Sequence, residues 1–141
     1  MENNMENNME NNMESITTVI TTARRTALCR VTSGAVSALS PVAYVAFGSG
    51  GTDAEGNVLA PSPDQTSLHQ EVGRYPVGEA AYPIPTTARY TITIPPDDLA
   101  GTNISEAALV DADGVLCAIR NMLPKGKDAG VSFTLTFDDE F

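Results

Sequence analysis

Apolar positions between Ile16 and Val31 recur at intervals of three and four: Ile16, Val19, Ile20, Ala23, Ala27, Leu28 and Val31. On a 3.6-residue period they share one face, which predicts an N-terminal amphipathic helix capped by Ser15 and stopped at Gly34. Arg24, Arg25 and Arg30 fall off that stripe, and as the C-terminal half of such a helix they would complement its dipole. Val42–Phe47 is short, apolar and bounded by Pro41 and by Gly48-Ser49-Gly50-Gly51, the pattern of a buried strand running into a mobile loop with a turn at Glu55-Gly56-Asn57. Ser62-Pro63-Asp64-Gln65 carries a capping box with proline at the first helical position, so a short second helix is expected from there to about Gly73, with Leu68 and Val72 on its buried side. Three prolines make Tyr75–Pro85 an extended connector.

The last third alternates. Tyr90-Thr91-Ile92-Thr93-Ile94 reads as a strand ended by Pro95-Pro96, because proline has no amide for a ladder. Ala107–Val110 and Val115–Ile119 flank Asp111-Ala112-Asp113-Gly114, a hairpin whose glycine suits a left-handed turn position. Pro124–Gly130 is expected to turn, and Val131–Phe137 is the clearest alternating strand. Helices and strands are segregated along the chain. The expected class is therefore α+β, a mainly antiparallel sheet with the N-terminal amphipathic helix and one short helix, forming a single domain over residues 15–141.

Residues 1–14 are set apart by a repeat, Met-Glu-Asn-Asn three times and then Met13-Glu14. As a helix the repeat would put its methionines in one slowly drifting stripe, but it also stacks four glutamates at i, i+4 and is rich in asparagine, a poor helix former. The arm is expected to be disordered alone and to order on a partner, with Met5, Met9 and Met13 as its partner-binding residues, since flexible thioethers adapt to an imperfect groove.

Charge narrows the partners. Eight Lys and Arg against eighteen Asp and Glu leave a net charge of −10, which disfavours nucleic acid and anionic lipid and leaves proteins as the expected partners. Membrane insertion is not expected, because no apolar run is long enough to span a bilayer. No basic and apolar leader opens the chain, so synthesis in a cytoplasm is expected, with Cys29 and Cys117 both reduced and buried in their apolar surroundings.

Candidate chemistry is thin. His69 is the one histidine, short of the ligands a zinc site needs. Asp111-Ala112-Asp113-Gly114 opens like a calcium loop, but Val115 and Met122 stand where further ligands belong. Gly48–Gly51 lacks the Gly-Lys-Ser/Thr ending of a phosphate loop. Asp97-Asp98 and Asp138-Asp139-Glu140 are carboxylate clusters at strand ends, where solvation keeps them ordinary. The expected protein is not an enzyme and uses no cofactor or metal. The rival reading is a stand-alone module binding a small ligand, sugar or peptide at Gly48–Gly51.

Three segments carry a resemblance. Phe47-Gly48-Ser49-Gly50 follows the first strand, Pro61-Ser62-Pro63-Asp64-Gln65-Thr66-Ser67-Leu68-His69-Gln70-Glu71-Val72 follows the loop, and Glu106-Ala107-Ala108-Leu109-Val110-Asp111-Ala112-Asp113-Gly114-Val115-Leu116-Cys117-Ala118 leads to Asn121-Met122-Leu123-Pro124. In order and spacing these resemble the N-terminal baseplate-attachment domain of phage tail-collar fibre proteins, over roughly residues 16–124. The resemblance implies a structural component of a bacteriophage tail or phage-derived tail particle that links baseplate and tail fibre. Its implied partners are other tail or baseplate proteins and fibre subunits. The implied location is the virion tail after synthesis in the host bacterium, and the implied assembly is a homo-oligomer, a trimer by analogy with fibres. Family members continue into a long fibre, whereas this sequence stops at Phe141 and has the added arm; an adaptor holding another protein is the expectation that follows.

Overall fold

A computed structural model describes residues 18–141. The arm, with Met5, Met9 and Met13, and the proposed cap Ser15 lie outside the described residues. The elements are β1 (Thr18–Ile20), α1 (Thr22–Thr32), β2 (Val42–Gly48), β3 (Glu71–Pro76), β4 (Ala81–Ile84), β5 (Thr87–Ile94), β6 (Thr102–Asp111), β7 (Leu116–Lys127) and β8 (Phe133–Glu140). Five strands form one sheet in the order β1-β7-β6-β2-β3, and three form a second in the order β4-β5-β8. Every strand pair is antiparallel.

The mainly antiparallel sheet agrees with the sequence pattern; the helices need correction. The first helix begins at Thr22, where Thr21 is the cap and its hydroxyl accepts from the Arg24 amide. The residues before it, Thr18–Ile20, are a strand on β7. Thr18-Val19-Ile20-Thr21-Thr22 is an unbroken run of β-branched residues, which lose side-chain freedom in a helix and pack well on a pleated surface. The late start moves Arg24 into the first turn, away from the dipole-favoured end, and leaves Arg30 in the last turn. No residue of α1 is buried, so the amphipathic stripe has no complete partner within the described residues. Gly34, at φ +83°, does end the helix as its position predicts.

The short helix expected from Ser62 is a series of turns followed by β3. Half of its capping box forms nonetheless: the Ser62 amide donates to Gln65 Oε1 at 2.8 Å, while the Ser62 hydroxyl accepts from the Asp64 amide instead of that of Gln65. The helix does not propagate because β2 takes residues 71–76 as a partner strand, with Phe47 opposite Gly73 and Val45 opposite Tyr75. The connector after Tyr75 contains β4, and β7 runs through Pro124 to Lys127, so the turn expected from Pro124 is confined to Asp128–Gly130. The pairing of β6 with β7 is interrupted by an irregularity between Ile104/Glu106 and Lys125/Asn121, which accommodates Pro124 within a strand.

The two sheets pack face to face. Val45 and Phe47 of β2, Ile104 and Leu109 of β6, and Cys117 of β7 meet Ile92 and Ile94 of β5 and Leu135 and Phe137 of β8. On the other face of the large sheet, Ala46, Ala108, Val110, Leu116 and Ile119 pack with Leu68 of the long β2–β3 connection. β2 and β6 are therefore covered on both sides, which explains why Val42–Phe47 is apolar without alternation. The hairpin of β6 and β7 turns as expected, with Gly114 at φ +87° and Asp111 Oδ1 accepting from the amides of Asp113 and Val115, both at 2.9 Å.

Candidate functional site

One carboxylate organises the long connection. Glu106 of β6 is fully buried, and its Oε1 accepts from the His69 amide at 2.9 Å while Oε2 accepts from the amides of Gly50 at 2.9 Å and Gln70 at 2.7 Å. Its neighbour Ser105 receives the Gly51 amide on its hydroxyl at 2.9 Å, and the Ser49 amide donates to the Gln70 carbonyl at 2.9 Å. Three stretches far apart in the chain thus meet at one acid. A buried carboxylate is tolerable here because charge-assisted bonds from three amides replace its lost hydration.

The glycines of Gly48–Gly51 are required by this closeness. A Cβ on Gly50 would stand 2.7 Å from the His69 Cβ, and Cβ atoms on Gly48 or Gly51 would overlap the Glu106 carboxylate or the Ser105 carbonyl oxygen. The segment expected to be a mobile loop is a clamp, and two of its amides are already spent on Glu106 and Ser105, which removes them from any ligand site there. His69, expected on a helix, sits in the turn, its Nδ1 at 3.0 Å from the Gly50 carbonyl.

A second polar centre joins α1 to the small sheet. Arg24 Nη1 and Nη2 each lie 2.6 Å from an oxygen of Asp139, which is 2 % exposed, and the guanidinium stands 5.1 Å from the Phe141 ring centroid. Burial acts to lower the Arg24 pKa, and the bond and charge of Asp139 outweigh it, leaving it raised. Next on β8, Asp138 is paired with Arg89 across the sheet at 2.8 Å, and that bond holds its carboxyl below the usual range. Of the β8 acids expected to be solvated and ordinary, Asp138 and Asp139 are therefore engaged in ion pairs, while Glu140 is exposed.

β1 and β8 are the edge strands that face each other across a groove of about 610 Å³ lined by Thr18, Ile20, Ala118, Arg120, Asp138 and Glu140. Arg120 crosses it: Nη2 donates to the Thr136 carbonyl at 3.1 Å and the guanidinium rests 4.7 Å from the Phe137 ring centroid. A cation placed on an edge carbonyl hinders strand addition at that point. A second groove, about 480 Å³, runs between α1 and the β6–β7 turn, where Ala23, Ala27, Leu39, Val115 and Cys117 give it an apolar lining. Among the described residues no three His, Cys, Asp or Glu side chains gather as a metal site, and no helix is long and apolar enough to cross a membrane.

The two cysteines differ. Cys29 is exposed, contrary to expectation, and Cys117 is buried with its thiol pushed up to about 11 by burial. A thiol reagent in excess should titrate one group per native chain quickly and the second only on unfolding, as absorbance of the released chromophore would show. Because the folded-state pKa is above the ordinary 9.0, the neutral thiol contributes stability that is complete below pH 9 and lost as pH rises towards 11, by at most about 2–3 kcal/mol. Tyr75 and Tyr90, also raised by burial, shift stability in the same direction. Urea melts at pH 8 and 10.5 should therefore diverge more for the native chain than for Cys117→Ala, and equal divergence would remove the thiol as the cause.

No protein-family model matches the chain, and no curated protein matches it.

Proposed function

We propose that this chain is a structural component of a bacteriophage tail or phage-derived tail particle, an adaptor that links baseplate and fibre through protein–protein surfaces. The observation that supports this reading is the Glu106 clamp. Phe47–Gly50, Pro61–Val72 and Glu106–Ala118 are three separate motifs in the sequence, and in space Gly50, His69, Gln70 and Glu106 join them by hydrogen bonds. A set of spaced motifs that closes on one buried acid behaves as a scaffold signature, whereas scattered turn signals would have no reason to meet. The exposed apolar surface at the hairpin end, from the uncovered face of α1 to Val36 and Leu39, supplies the kind of surface that a larger assembly covers.

The test is co-sedimentation. Lysate of the producing bacterium, fractionated after induction of tail particles, should carry the chain in the particle band in fixed ratio to the baseplate proteins. A chain that stays entirely in the soluble fraction overturns the reading. Purified protein should also self-associate, a trimer being the proposed state, and a mass that stays at 14.8 kDa by light scattering over a wide concentration range would count against it. The arm belongs to this proposal too: Met5, Met9 and Met13 are its proposed contacts with a neighbouring subunit.

A further inference from the structure

We infer that the docking site for the Met-Glu-Asn-Asn arm, residues 1–14, is the uncovered surface of α1 on a neighbouring copy of this chain. The inference rests on the assembly reading above and adds the receptor surface and its chemistry. Helix α1 is covered only on one side: Ala27, Leu28 and Val31 are half-buried, none of its residues is buried, and exposed Val36 and Leu39 extend the apolar area beyond its C-terminal end. Two furrows flank the helix and share Thr22 and Thr26. One is the mainly apolar groove towards Leu39 and Val115, whose turn wall also carries Asp111, held by the turn amides, and Asp113, bonded by Ser40; the other is a shallow one lined by Arg25, Cys29 and Arg30.

Charge selects the occupant. Arg25 and Arg30 are exposed and form no ion pair among the described residues, whose ion pairs use Arg24, Arg74 and Arg89. The helix has no acidic residue. The arm has the complementary composition, Glu2, Glu6, Glu10 and Glu14 each following a methionine. In a bound helix adjacent residues stand about 100° apart, so a methionine stripe and a glutamate stripe lie side by side, matching an apolar furrow beside a basic one. The lengths are compatible as well: eleven residues of α1 span about 16 Å, and fourteen residues bound as a helix would span about 21 Å. The groove between β1 and β8 offers no comparable cation, because its Arg120 is held on the Thr136 carbonyl and the Phe137 ring.

Chain direction selects the neighbour over the same chain. β1 enters at Thr18 beside Arg120 and leaves at Ile20 beside Ala118. Thr21 then bonds the Leu116 and Cys117 carbonyls, which puts α1 at the hairpin end of β7. The residues before Thr18 therefore join the domain at the end of β1 remote from α1, and reaching that face in their own chain would require a full reversal.

The test uses the full-length chain with a benzophenone amino acid in place of Met9, mixed from light and 15N-labelled batches at a concentration where light scattering shows oligomers. Irradiation should give heavy–light cross-links that map by mass spectrometry to residues 25–31. The double variant Arg25→Glu/Arg30→Glu should cut them about tenfold, and adding Glu6→Lys/Glu10→Lys should restore them. Both arginines are exposed, so melting should be unchanged in the variant. Cross-links between copies that map to the β1–β8 groove or another surface overturn the α1 site and leave an arm-mediated assembly standing. Cross-links only within one chain overturn the neighbour as host. A chain that stays monomeric, or oligomers without arm cross-links, overturn this inference together with the arm contacts proposed above.

Discussion

Replacing Glu106 by Ala should lower stability by about 3–5 kcal/mol, a large share of the roughly 5–15 kcal/mol that holds a domain of this size. The carboxylate accepts from three amides, those of Gly50, His69 and Gln70. Its removal leaves part-buried donors without their acceptor at about 1–3 kcal/mol each, less whatever water entering the space recovers. Glu106→Gln keeps the shape but turns one end into a donor facing donors, so it should recover less than half of the loss. Urea unfolding measures the total, and amide exchange locates it: the Gly50, His69 and Gln70 amides should exchange faster well below the unfolding transition. A loss under about 1 kcal/mol with unchanged protection of those amides would show that the clamp is held by packing alone.

Breaking the Arg24–Asp139 pair should have the next largest effect, about 2–4 kcal/mol for Asp139→Ala. The pair is bidentate, and side-chain exposures of 12 % and 2 % leave little water to replace the lost partner. Most of the loss is the cost of an Arg24 charge left partly buried, so Arg24→Met/Asp139→Leu should be more stable than Asp139→Ala. Denaturation of Arg24→Met, Asp139→Leu and the double variant gives the coupling energy directly. A coupling near zero would mean that Arg24 finds an equal partner elsewhere. The loss should be accompanied by fraying of α1 at its N-terminus, since Asp139 is the main side-chain tie between the first turn of the helix and the small sheet.

What the sequence disclosed was whatever local chemistry decides. The Asp111–Gly114 turn is fixed by an aspartate oxygen and a left-handed glycine within four residues, and the alternation of β5 and β8 requires only one covered face. The failures came from partners remote in sequence. Ser62 and Gln65 formed their capping bond, but whether a helix followed depended on β2, which claimed Glu71–Pro76. At Thr18–Thr22 two signals competed, apolar spacing for a helix and β-branching for a strand, and β7 decided between them; weighting the β-branched run more heavily would have found β1. Glu106 stood inside a recognised motif, yet its role was invisible, because its donors lie 36 to 56 residues away. The pairing of Asp139 with Arg24, 115 residues apart, was hidden for the same reason.

The order of strands in the large sheet has a consequence for biosynthesis. β2 lies between β3 and β6, and β3 follows it closely enough for the two to pair soon after both leave the ribosome. The other edge of β2 has to wait: Gly50 at its end and Glu106 of β6 are 56 residues apart, which at about 5–20 residues per second is a delay of about 3–11 s. Throughout that interval Val45 and Phe47 lack the β6 and β8 side chains that help bury them, and β5 arrives only near its end, while the amide of Gly50 lacks its acceptor. The nascent chain therefore passes through a sticky half-sheet on every round of translation, and ribosomes stalled before Thr102 should yield a product that chaperones hold or proteases remove.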